Sequence, residues 1–220
     1  MGTLNKKLII AAAVAAPLGY YYYQKRGIKS LASKLPNLSE QKLPPRDFLY
    51  IQHVGSYNKV EDSFKIVTGD TQDLRQKLRN TKYAAIYYDN PTTADASQLR
   101  GVVGLLFDSS NRDVARQFVS QHPYYDLKEL PELTTLTARA PMVLGLNPST
   151  WITSALFTKM RDSKLNKKLD QVDPNSPLFE IYDVENGKVK NIEFHIPFGS
   201  NVEKLWLTKA PQTGSIQKGH

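Results

Sequence analysis

Glu180, Tyr182, Glu193 and His195 are the residues whose types and spacing could do chemistry in this chain. Asn186-Gly187 between two alternating runs reads as a two-residue type I′ hairpin turn. That turn sets a register with Val184 opposite Val189, Tyr182 opposite Asn191, Ile181 opposite Ile192 and Glu180 opposite Glu193. Period-two alternation then places Phe179, Ile181, Ile192, Phe194 and Ile196 on one side, against a helix. Glu180, Tyr182, Glu193 and His195 fall on the other. Two carboxylates directly across a strand pair repel unless water or a cation relieves them. The arrangement is either a solvated polar face or an acidic, Tyr-lined patch that receives a cationic or polar ligand. For either carboxylate to act as a general base, burial or its like-charged neighbour would have to raise its pKa.

Other chemistries have less to stand on. With no cysteine, thiol catalysis, Cys-ligated metal and disulfides are excluded. His53, His122, His195 and His220 lack metal-ligand spacing, and Gly101 and Gly104 are followed by no Lys-Ser/Thr of a phosphate loop, so neither metal nor cofactor is expected. The net charge of +8 is concentrated beside an N-terminal apolar run, in Lys6, Lys7, Lys25, Arg26, Lys29, Lys34, Lys42 and Arg46. That placement suits a membrane flank, and nucleic acid is not an expected partner.

The elements that must position these residues form two similar series. Phe48 to Val54 reads as a strand ended by Gly55-Ser56. Asn58 and Glu61 resemble a capping box, and Val60, Phe64, Val67, Leu74 and Leu78 keep helical spacing that Gly69 could interrupt. Tyr83 to Asp89 is a strand closed by Asn90-Pro91. Gln98 to Asp108 follows, with Gly101 and Gly104 where a neighbour could come close. Ser109 to Pro131 is a connector with a short helix near Val114 to Val119. The order then repeats: a strand over Leu133 to Ala140, a helix capped by Asn147-Pro148 that carries Trp151, and the hairpin. Aligning IYYD (86–89) with EIYD (180–183) matches the halves. The expected fold is α+β, with duplicated strand-helix-strand-strand units, antiparallel sheets and helices on one face. The units span 47–108 and 132–200, the connector spans 109–131, a tail spans 201–220, and a groove lies where the units meet.

Leu8 to Tyr23 is uncharged and almost wholly apolar, and four tyrosines end it like an interfacial belt. Sixteen helical residues reach about 24 Å, short of a ~30 Å hydrocarbon core unless the bilayer thins and Lys7 and Lys25 snorkel. The expected organisation is a lumenal end at 1–7, a single-pass anchor at 8–24 and a basic stalk at 25–46. A cleaved signal peptide is the competing reading, from the small-x-small site at Ala13 and Ala15. Positive charge counted on either side puts the C-terminal domain in the cytosol.

The YYDNP strand, the doubled order and a last strand carrying Glu193 and ending at Ile196-Pro197 resemble the GyrI-like (gyrase-inhibitor-like, effector-binding) domain over Asp47 to Ser200. With the N-terminal anchor, the chain is similar to the anchored endoplasmic-reticulum autophagy receptors of animals. The resemblance implies a cleft between the units that binds small cationic or aromatic molecules, with Glu193 near its floor and Tyr88 and Tyr182 as walls. The candidate cleft set is Glu193, Glu180, Tyr182, Tyr88, His195, Trp151 and Tyr57. It also implies an endoplasmic-reticulum membrane protein acting in organelle turnover, with autophagosomal ubiquitin-like proteins as partners. Tyr124-Tyr125-Asp126-Leu127 fits the bare aromatic-x-x-aliphatic core of their motif, although the long acidic tail of those receptors has no counterpart here. Some relatives hydrolyse small molecules with a Glu and a Tyr, the alternative to a pure binding module.

Overall fold

Alternating β-branched and aromatic residues make strands wherever one face can be buried, and the chain is dominated by them. The computed structural model describes residues 39–89, 91, 94–141, 176–185 and 188–207. They form β1 (Ser39–Leu43), β2 (Arg46–Val54), α1 (Val60–Asp70), α2 (Gln72–Lys77), β3 (Lys82–Tyr87), β4 (Arg100–Phe107), α3 (Arg112–Gln121), β5 (Asp126–Leu130), β6 (Leu133–Pro141), β7 (Leu178–Glu185) and β8 (Lys188–Phe198). All eight strands join one antiparallel sheet in the order β1-β6-β8-β7-β3-β4-β2-β5. The strands of the first expected unit run β3-β4-β2 outward from the middle and those of the second run β7-β8-β6, the same order on either side. The Asn147-capped helix with Trp151, the Leu8 to Tyr23 run and the Asn186-Gly187 turn residues lie outside the described residues. Among the described residues no helix is long and apolar enough to span a membrane.

Chain connectivity forces this sheet to curl. Only Pro44-Pro45 separates β1 from β2, yet the two strands stand six places apart. Six spacings of a flat sheet cover about 29 Å, whereas that link reaches about 10 Å. Pro131-Glu132 makes the same demand between β5 and β6 at the opposite edges. The edges therefore approach each other over one face. On that concave face Gly104 sits opposite Tyr50 and Ala84. A Cβ on Gly104 would lie 2.0 Å from the Leu49 carbonyl oxygen and 2.7 Å from Tyr50 Cα, so the close approach expected of this glycine is real.

The helices of the first unit and of the connector pack on the outer face. Phe64 of α1 meets Tyr182 edge to face at 4.8 Å, and Arg112 of α3 lies 3.6 Å from buried Asp47. Val60, Val67, Leu74 and Ala115 are the buried positions of these helices. Two details differ from expectation. Ser56, not Asn58, caps the helix entry, its Oγ accepting the Asn58 N–H at 3.3 Å above a 3-10 turn at Tyr57–Lys59. The break falls at Thr71 rather than Gly69, where the Thr71 hydroxyl donates to the Val67 carbonyl at 2.6 Å. The connector also holds a strand that its charged sequence concealed. β5 is an edge strand, and its outer side needs no apolar residues.

The hairpin register is the main correction. Val184 faces Val189 and Glu185 faces Lys188, as a two-residue turn requires, but a bulge between Asp183 and Val184 then shifts the pairing by one. Asp183 faces Asn191, Tyr182 faces Ile192, Ile181 faces Glu193 and Glu180 faces Phe194. One extra residue reverses the faces beyond it. Phe179 and Ile181 share the concave face with Glu193 and His195. Glu180 and Tyr182 share the helix-bearing face with Ile192, Phe194 and Ile196. The two carboxylates are thus not side by side. The repeat is out of phase by one as well, because face parity matches Ile86-Tyr87, not Tyr87-Tyr88, to Ile181-Tyr182.

Gly104→Ala is expected to destabilise the fold by about 3 kcal/mol or more, since the clash is with backbone of β2. Gly69→Ala meets nothing within 4 Å inside α1 and is expected to stabilise by ~0.5–1 kcal/mol. Urea midpoints of the two variants, measured together, check both signs.

Candidate functional site

The curl leaves a recess of about 120 Å³ on the concave face. Leu106, Phe179 and Ile181 come from the middle of the sheet, and Leu43, Pro44, Leu130, Pro131 and Leu133 from the meeting edges. Three charged residues enter this apolar lining: Glu193, Lys82 and Arg46. The Arg46 guanidinium is held by the Asn80 carbonyl at 3.0 Å. Lys82 shares the face of Ala84 and Ile86 by alternation along β3, a signal the sequence carried and the hairpin-centred reading passed over.

Glu193 is 25% exposed at its side chain, and its surroundings favour the ionised form. His195 Nε2 lies 3.6 Å from its Oε2 and Arg139 Nε lies 3.9 Å from its Oε1. His195 beside it holds the carboxyl below the usual carboxylate range, helped by Lys82 and Arg139 and opposed by partial burial. This is opposite to the raised pKa a general base would need. His195 is fully buried, its Nδ1 shared between Thr137 Oγ1 at 2.9 Å and Thr135 Oγ1 at 3.3 Å. It stands beside Glu193 on the same face but does not line the recess. Arg139 is mainly engaged with Asp183, at 2.7 Å.

Glu180 occupies the other face, fully buried beneath α1. Tyr182 donates its hydroxyl to Glu180 Oε2, and the Tyr87 and Tyr182 hydroxyls are 3.3 Å apart. Oε1 has no hydrogen-bond partner among the described residues. Burial pushes the Glu180 carboxyl up to about 7, against hydrogen bonds from Tyr182 and Tyr87. Both phenols are pushed well up by the same burial and by the neighbouring acid. Glu180 and Tyr182, expected in the cleft, form instead a sealed Glu-Tyr-Tyr cluster of the outer core.

Tyr57 and Tyr88 are also anchored. The Tyr57 hydroxyl donates to the Arg100 carbonyl at 2.6 Å and accepts the Asp89 N–H at 3.1 Å. Asp89, of the YYDNP turn, takes both Arg100 Nε at 3.0 Å and Nη2 at 2.7 Å, plus the Arg100 backbone N–H at 2.7 Å. Tyr88 does reach the concave face, but residues 202–207 cover it. Its hydroxyl donates to the Leu205 carbonyl at 2.9 Å and accepts the Leu207 N–H at 3.2 Å, and its ring stacks on Trp206 at 5.0 Å. Of the seven candidates, only Glu193 lines the recess; Trp151 lies outside the described residues. The Tyr124–Leu127 motif runs into β5: Leu127 is paired opposite Leu49, and Tyr125 is 1% exposed with its hydroxyl on Asp70.

No model of a protein family matches this chain, and no curated protein matches it. Among solved structures, EcmrR in a DNA complex aligns with a TM-score of 0.48 and 11% identity over 88% of this chain and 68% of that one. SAV2435 bound to tetraphenylphosphonium aligns with a TM-score of 0.46 and 12% identity, over 75% and 95% of the respective chains. A hydrolase from Listeria innocua aligns with a TM-score of 0.40 and 11% identity, over 73% and 91%. None of these three relates the chain to the anchored receptors of animals.

Glu180 generates a pH prediction. A carboxyl raised from 4.5 to about 7 on folding binds its proton more tightly in the native state. Its stabilisation is fully present below the unfolded pKa and is lost as pH rises through the folded one. Unfolding free energy should fall by about 3 kcal/mol between pH 5 and 8 from this group. Glu180→Gln should remove that slope, which urea titrations of both proteins across the window would reveal.

Proposed function

We propose that the domain is a binding module for a small, largely apolar molecule that carries a hydrogen-bond donor, an amine foremost, and that the concave recess is its site. The observation that carries this reading is Glu193, an ionised carboxylate entering an otherwise aliphatic and aromatic lining. His195 Nε2 at 3.6 Å and Arg139 Nε at 3.9 Å stand long of an ordinary hydrogen bond, and a carboxylate with four lone-pair sites keeps acceptor capacity beyond them. Pockets of this kind, apolar with few placed polar groups, are the usual small-molecule sites. Binding rather than turnover is favoured because the Glu-Tyr pair the fold does form, Glu180 with Tyr182, is sealed on the opposite face. On this reading, Lys82 and Arg46 make the recess selective, admitting a ligand only if its charged end reaches Glu193 and stays clear of theirs. Leu8 to Tyr23 would tether the module to the endoplasmic-reticulum membrane with the domain in the cytosol, supported by the charge count. Protease added to sealed microsomes should digest the domain; protection of the domain would reverse that topology.

Benzylamine is a suitable probe, because a cavity near this size accommodates one aromatic ring. Calorimetry should show benzylamine bound by the full chain and weakened about 10–100-fold by Glu193→Gln, the range for a hydrogen bond to a charged group. Equal affinity in the two proteins would exclude Glu193 as the recognition group.

A further inference from the structure

At about 120 Å³ the recess lies well below the ~300–1,000 Å³ of ordinary ligand pockets. Part of its wall is nevertheless shared with an apolar cluster that is already filled. Leu106, Leu130, Leu133, Phe179 and Ile181 line the recess and also belong to the core cluster that holds Leu205. Leu205 is fully buried in that cluster, whose other members include Phe48, Tyr50 and Ile86, and Leu207 packs against it. Neither residue belongs to the sheet: both sit on or just beyond a single 3-10 turn, Val202–Leu205.

The fastening of this turn is local and reversible in kind. Tyr88 supplies two hydrogen bonds through one hydroxyl, to the Leu205 carbonyl and from the Leu207 N–H. Trp206 remains 40% exposed, stacked between Tyr88 and the Arg100 guanidinium 5.8 Å from its ring. Asn201 adds one bond, to the Glu132 carbonyl at 3.0 Å. No strand pairing holds residues 202–207 in place.

From this geometry we infer that Leu205-Trp206-Leu207 is a built-in stopper. Leu205 sets the upper size of ligand admitted to the concave face, and larger ligands enter by displacing it from the Leu106–Phe179–Ile181 wall. The inference rests on the recess being the binding site, and deepens that reading by naming the residue that determines its size selectivity. Trp206 reports the event, because withdrawal of the stopper takes its ring off Tyr88 and into water.

The test uses the full chain with two cationic probes, benzylamine and the bulkier tributylamine, whose protonated form keeps one N–H donor, in wild type, Tyr88→Phe, Leu205→Ala and Glu193→Gln. Tyr88→Phe keeps the stacked ring and the fold while removing both hydrogen bonds, which guards against a destabilised Leu205→Ala. Tributylamine should bind about fivefold or more tightly to Tyr88→Phe and Leu205→Ala than to wild type, with a red shift of tryptophan emission on binding. The shift should vanish in Trp206→Phe. Benzylamine affinity should be unchanged by the stopper variants and fall only in Glu193→Gln. If benzylamine binds through Glu193 but tributylamine affinity ignores Tyr88 and Leu205, the stopper is overturned and the recess stands. If benzylamine does not bind at all, the recess reading fails and takes this inference with it.

Discussion

Two dipeptides, Pro44-Pro45 and Pro131-Glu132, impose the constraint on which the rest of this molecule depends. Each joins strands at opposite sides of an eight-stranded sheet, and neither is long enough to do so unless the sheet bends until its edges meet. Proline suits these links, since its fixed φ limits the unfolded ensemble and its missing N–H falls where no ladder continues. The interior of the curl then has to be small where the strands bend most. Gly104 and Ala84, side by side between β2 and β7, meet that requirement. The linkers themselves return to line the recess they create, so site and topology share one cause.

The bulge between Asp183 and Val184 has an electrostatic consequence that exceeds its size. Without it, Glu180 and Glu193 would stand directly opposed; with it, they occupy opposite faces of one sheet. Each then takes a different protonation state from its surroundings. Glu193 lies among His195, Lys82 and Arg139, which favour its ionised form, and lines the recess. Glu180 is enclosed by aromatic rings and two phenols, where the neutral acid is the cheaper form near neutrality. Two like residues thirteen positions apart thus divide the work of recognition and core packing.

Much of this was legible in the sequence and the rest failed for identifiable reasons. Alternation revealed β2, β3, β4, β6 and the hairpin, because each buries at least one face. It missed β5, whose DLKEL lies at an edge and mostly in solvent. Gly104 was readable as a point of close approach. The faces of the hairpin were not. Asn186-Gly187 sets register only as far as the ladder is regular, and Lys190, the residue left over at the bulge, looks like any exposed lysine. Tyr88 was expected as a wall of the cleft from the resemblance, and no periodicity announces that residues more than a hundred positions later will cover it.

A curled sheet short of closure has an inside that must be filled, and small barrels fill theirs with strand side chains. Here the strands contribute Phe48, Tyr50 and Phe179 together with Glu193 and Lys82. Leu205 and Leu207 of the C-terminal segment complete the apolar cluster. Glu193 and Lys82 stay in the recess, because burying either under leucine would strip it of water without a partner. Leu106, Leu130, Leu133, Phe179 and Ile181 belong at once to that cluster and to the wall of the recess, and stability and ligand access compete for the same few side chains.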